Sequence, residues 1–260
     1  MAISETVFAD FKYFAQGHPC CPLVRPLEFF ADPLVVYRAF KNEKTPSVLL
    51  ESSRSSHKTG RYSFIGRNPS LILEAKGSEI TLSSFGVREV LHGNPFETLQ
   101  RILDLYSAAS QPGLPPYIGG AVGYFGYEAK NYLEPTLRQS LKESQGLPDV
   151  YFLFFNEGII LDHERQATFI FAHVKVGKDL RKSFNHAVKE LNTLENDLKR
   201  VRSARPASLQ KRFSDAGRIF DPRFYFEDET RKAERGDPPF ESSLRAILFH
   251  GHFRDGVCGF

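Results

Sequence analysis

Tryptophan is absent from the sequence, methionine occurs once and cysteine three times. The scarcity of cysteine excludes a disulfide framework. Cys20 and Cys21 are adjacent, a spacing that rarely bridges, and Cys258 leaves an odd count, as expected in a reducing compartment. No apolar run is long enough to span a bilayer. The opening MAISETVFADFKYF carries acids where a secretory signal needs a basic start and an apolar stretch, so a cytoplasmic protein is expected. An excess of charge is also missing. A net +3, from 34 basic and 31 acidic residues that alternate along the chain, does not argue for nucleic acid.

Established catalytic motifs are missing too. The run Gly119-Gly120-Ala121-Val122-Gly123-Tyr124-Phe125-Gly126 follows LPPYI rather than a clear strand, and no lysine stands where a phosphate loop requires one. Its glycines read as points of close backbone packing and strand bending. Ser52, Ser53, Ser55 and Ser56 lie near His57 without a nucleophile-elbow motif, so they read as a loop. His250, His252 and Cys258 match no zinc spacing. Asp162 and His163 read as turn residues of a hairpin.

Phenylalanine is plentiful, with 24 residues beside 10 tyrosines, and it favours half-buried pleated surfaces. The segment Asp32-Pro33-Leu34 followed by VVYRAF predicts a short capped helix. TPSVLLES predicts a buried strand, RYSFIG a second, and residues 71–91 a meander turning at Lys76-Gly77 and Gly86. Asn94-Pro95-Phe96-Glu97 starts another helix, with Leu99, Ile102, Leu103 and Tyr106 at helical spacing. VYFLFF, GIILDHE and QATFIFAHVKV predict strands, the last two joined through DHERQ. Leu180, Phe184, Ala187, Leu191, Leu194, Leu198 and Val201 form the apolar stripe of a surface helix. Short hairpin-linked strands with few helices predict an α+β fold with largely antiparallel sheets.

Residues 1–202 are therefore expected to form one domain. From about Ala204 the periodicity fades and basic residues become mostly arginine. Residues 203–260 read as a linker with a truncated start of a second domain, or as a shifted reading frame.

One carboxylate stands out. Glu51 follows Val48-Leu49-Leu50 at the end of an apolar run, where it could meet the ammonium of a bound amino acid or be an ordinary solvated strand end. PSVLLESS, GRYSFIGRNP, the EAKG turn, NPFETL, YIGGAVGYFGYEAKNYLE and LPDVYFLFFNEGIILDHE, taken in order over residues 20–175, resemble the N-terminal domain of the chorismate-aminating large subunits. These are component I of anthranilate synthase (tryptophan biosynthesis) and of aminodeoxychorismate synthase (folate biosynthesis). The resemblance implies an α+β fold and a parent enzyme that aminates chorismate with ammonia from a glutamine amidotransferase subunit, component II. It also implies a magnesium ion in the intact enzyme, but none in this chain. KAERGD resembles the opening of the family's catalytic domain, yet DPPFESSLRAI then departs from its pattern, so no catalytic residue is expected here. What the resemblance does imply is a tryptophan effector pocket, with Leu50, Glu51 and Ser52 as candidates and Tyr62, Ser63 and Phe64 beside them. The lean is to anthranilate synthase, because LLES is present.

Overall fold

The computed structural model describes residues 5–41, 44–51, 61–115, 117–134, 136 and 147–203, and the backbone of 246–248. In chain order the elements are α1 (Phe8–Phe14), β1 (Cys20–Leu27), α2 (Pro33–Phe40), β2 (Ser47–Glu51), β3 (Tyr62–Arg67), β4 (Leu71–Lys76), β5 (Glu79–Ser84) and β6 (Val87–His92). Then follow α3 (Pro95–Leu105), β7 (Gly120–Phe125), a 3-10 turn, α4 (Lys130–Leu133), β8 (Val150–Phe155), β9 (Glu157–Asp162), β10 (Ala167–Lys175), α5 (Leu180–Ser203) and β11 (Ala246–Leu248). Strands pair antiparallel throughout, in sheets ordered β1-β10-β9-β3-β2 and β11-β7-β8-β4-β5-β6. The fold is α+β with two antiparallel sheets, as the sequence predicts.

The alternation of side chains along each strand sorts the core into three slabs. One face of the first sheet, with Leu23, Ile65, Ile159, Leu161 and Ile170, packs against α1, α2 and α5. Its other face, with Val24, Phe64, Ile160, Phe169 and Phe171, meets Val122, Leu153 and Phe155 of the second sheet. The far face of the second sheet, with Leu73, Ile80, Phe152 and Phe154, packs under Leu99 and Ile102 of α3. The order is helices, sheet, sheet, helix.

Local sequence explains most boundaries. The Asp32 carboxylate accepts from Val35 N at 2.9 Å, and Asn94 Oδ1 accepts from Phe96 N at 2.9 Å, so both proposed caps form. In α5, Ala187, Leu191, Leu194 and Leu198 are buried, and ion pairs from Arg25 to Glu195 and from Arg67 to Asp197 fix the helix on the sheet. Gly123 packs where a Cβ would lie 2.0 Å from the Tyr151 carbonyl oxygen, so β7 needs glycine there to approach β8.

Two readings change. TPSVLLES forms a strand, but an edge one whose residues are half-buried or exposed, because β2 pairs with β3 alone. The segment CCPLVRPL, which the sequence did not suggest, forms β1. Val24 turns its N–H and C=O away from β10 toward Thr6, so Pro22 and Pro26, two residues to either side, share that outward orientation. Their missing N–H groups thus cost no ladder bond.

Candidate functional site

The β2–β3 register brings five of the six candidate residues together. Leu50 lies opposite Phe64 and Glu51 opposite Ser63, with Tyr62 next along β3, opposite Asp162 of β9. Ser52 lies outside the described residues, as do His57 and the serines around it. The pleat nevertheless divides the set. Leu50, Tyr62 and Phe64 point to the slab between the sheets, whereas Ser63 and Glu51, of opposite parity, point to the helical side.

On the inner side, Phe64 meets Tyr117 edge-on at 5.2 Å, and Tyr62 lies 5.9 Å from Phe64. Tyr117 is buried and its hydroxyl has no partner among the described residues; burial raises its pKa. On the helical side, Ser63 is fully buried and its Oγ lies 2.7 Å from His163 Nε2. The His163 ring packs edge-on against Phe30 at 5.5 Å, and its backbone N–H donates to the Arg61 carbonyl. Glu51 is exposed and has no partner among the described residues.

Next to this pair, the Arg61 Nη2 donates to Asp162 Oδ2 at 2.8 Å and its Nε to Oδ1 at 3.1 Å. Asp162 also accepts from the backbone N–H of Glu164 and Arg165. Burial pushes the Asp162 pKa up, but Arg61 and these amides outweigh it and hold the carboxyl below its ordinary value. Asp162 is an anchor of the β9–β10 turn and keeps Arg61 occupied. The aromatic face of Tyr62 receives the Arg61 guanidinium at 4.8 Å.

Sequence reading missed His163 and Tyr117 as neighbours of the candidates. His163 stands 100 residues from Ser63, so no local spacing announced the contact. Tyr117 belongs to the glycine-rich stretch, where only its glycines drew notice. Among the described residues no group of three or more His, Cys, Asp or Glu side chains could hold a metal ion. A separate groove lined by Glu74, Lys76, Glu79, Thr81 and Arg88 contains none of the candidates.

The model of a family described as chorismate binding enzyme matches residues 45–227. This chain belongs to that family. The family member from Acetivibrio thermocellus named anthranilate synthase component 1 is 31% identical over 193 residues, 73% of this chain and 38% of that protein. A probable anthranilate synthase component 1 of Schizosaccharomyces pombe is 29% identical over 227 residues, 86% of this chain and 41% of that protein. The chain thus spans about two fifths of the length of these relatives. The solved structure of anthranilate synthase component I from Streptococcus pneumoniae TIGR4 matches 68% of this chain and 36% of that one, at 21% identity and a TM-score of 0.42. That likeness is too low to carry an argument. No helix among the described residues is long and apolar enough to cross a membrane.

Proposed function

We propose that this chorismate-binding family chain is the regulatory and scaffolding portion of an anthranilate synthase large subunit in tryptophan biosynthesis, and that it catalyses nothing alone. The observation that carries this reading is the β2–β3 register. It sets Glu51, which has no partner among the described residues, opposite the buried Ser63, with Leu50, Tyr62 and Phe64 on the adjoining strand positions. A carboxylate with no cation partner among the described residues suits the ammonium of an amino acid. The names of the relatives support anthranilate synthase over the aminodeoxychorismate branch of folate biosynthesis. Residues 203–260 act in this reading as a linker leading into the start of the catalytic domain. The partner is a glutamine amidotransferase subunit, component II, which delivers ammonia in the assembled enzyme.

Isothermal titration with L-tryptophan tests the effector reading. Weak binding is expected, because this chain supplies only part of the pocket, and Glu51→Ala removes the remaining heat. Submicromolar binding by this chain, or binding indifferent to Glu51→Ala, contradicts it.

A further inference from the structure

The connection from α3 to β7, residues 106–119, crosses one end of the slab between the two sheets; residue 116 lies outside the described residues. Side chains tie this strap down. Gln111 Nε2 donates to the Pro22 carbonyl of β1 at 3.2 Å, and Leu114 and Ile118 pack half-buried on the slab. Tyr117 is buried against Phe64 and Phe171, at ring distances of 5.2 and 6.5 Å. At the start of the strap the Tyr106 hydroxyl lies 3.1 Å from Ser70 Oγ, and at its end Gly119 leads into β7. The backbone N–H groups of Ser107 and Leu114 donate to Asp104 and Gln111, close by in sequence rather than on a sheet. A segment held in this way opens at lower cost than a strand inside a ladder.

One side chain under the strap has nothing to offset a charge. His173 follows Phe169 and Phe171 along the inward face of β10 and is buried. Gly119 abuts its ring: a Cβ there would stand 2.5 Å from Cδ2 and 2.7 Å from Nε2, and the Gly119 φ is 116°. His173 Nε2 has no hydrogen-bond partner among the described residues, and Nδ1 lies 3.1 Å from Cys20 Sγ on β1. The titratable groups facing the ring are Cys20 and, from the end of α3, Tyr106, whose ring is 6.2 Å away. Burial pushes Cys20 up to about 12 and raises Tyr106, so both keep their protons at neutral and acid pH. Lys175, two residues along β10, is exposed, and the strap sequence SAASQPGLPPYIG holds no charged residue. From the β8–β9 link, Asn156 supplies only a backbone carbonyl, to His173 N at 2.6 Å. Burial therefore sets the His173 pKa at about 4, below the ordinary 6.5, with the Ile118 backbone opposing it.

We propose that residues 107–119 form an acid-released strap: protonation of His173 frees its hold under Gly119, and the strap lifts off the end of the slab while both sheets stay folded. Lifting lets water solvate the imidazolium, which the closed strap leaves unpaired in the interior. The sign follows from linkage. The open form takes up its proton near 6.5 and the closed form near 4, so acid favours the open form. Cys20 reports the change, because its thiol lies against the ring that the strap covers.

The test is labelling of the full chain with N-ethylmaleimide, the modified cysteine being located by fragment mass spectrometry. Rates are taken relative to the urea-unfolded chain at the same pH, which removes the reagent's own pH dependence. Cys20 labelling is expected to rise about twentyfold between pH 7.5 and pH 5, from the two proton affinities. It is also expected to change by less than about twofold in 1 M urea, because a lifted strap exposes little surface. Labelling through unfolding of the whole chain would instead rise about tenfold or more in 1 M urea. His173→Gln is expected to label at rates within about twofold of each other at the two pH values. Gly119→Ala, strained and pressed against the ring, is expected to label about tenfold faster than wild type at pH 7.5. Should either variant lose its cooperative urea transition, the other and the wild-type profile decide. A flat wild-type profile, a urea-sensitive one, or an undiminished rise in His173→Gln overturns the proposal, as does Gly119→Ala labelling no faster than wild type.

Discussion

Cys20 and His173 are two titratable side chains brought together in the interior. Burial pushes the Cys20 thiol up to about 12, so it keeps its proton, and its Sγ lies 3.1 Å from His173 Nδ1. His173 Nε2 is buried without a hydrogen-bond partner among the described residues. Burial lowers the His173 pKa to about 4, only partly offset by Ile118. The unfolded chain takes up that proton near the ordinary value of 6.5, so between these limits the unfolded state binds more protons. Stability is therefore expected to fall as pH drops from about 6.5 toward 4, by up to about 3 kcal/mol from this residue. Urea unfolding at stepped pH measures it, with His173→Gln expected to flatten the slope between pH 6.5 and 5. A wild-type profile that is flat over that range contradicts the assignment. None of this was legible in the sequence, where Cys20 and His173 stand 153 residues apart. Ser63 and His163 were hidden in the same way, whereas Glu51 was visible because its apolar neighbours are consecutive.

At the level of elements, legibility followed local chemistry. The helices α2 and α3 announced themselves through Asp32-Pro33 and Asn94-Pro95, since capping needs only residues close in sequence. The strand β1 did not, because Pro22 and Pro26 argue against a strand until it is known to lie at a sheet edge. The helix α1 is short, has no side-chain cap, and is held by packing against β1 and α5. Turns carry their own costs. The β5–β6 hairpin turns on Phe85 and Gly86, with φ values of 46° and 83°, and Phe85 is 89% exposed. A phenylalanine gains nothing from burial there and pays the left-handed penalty that asparagine tolerates. Phe85→Asn is thus expected to stabilise the chain by about 1 kcal/mol, read as a higher urea midpoint with an unchanged slope. A lower midpoint would mean that the exposed ring has a packing partner.

For the whole molecule, the fold class followed from short strands linked by hairpins, but the assignment of strands to two sheets did not. That division depends on crossovers such as β3 beside β9 and β4 beside β8, which join residues 75 to 100 positions apart and leave no periodic trace. The stacking of sheets is also why the candidate residues split between two slabs while staying on neighbouring strands. The larger proposal is that this chain binds and supports and does not itself transform chorismate. It spans about two fifths of the length of its relatives. The decisive measurement is anthranilate fluorescence after incubating the chain with chorismate, ammonia and magnesium. The account predicts no product above the protein-free control, while anthranilate formed in proportion to the amount of chain would contradict it.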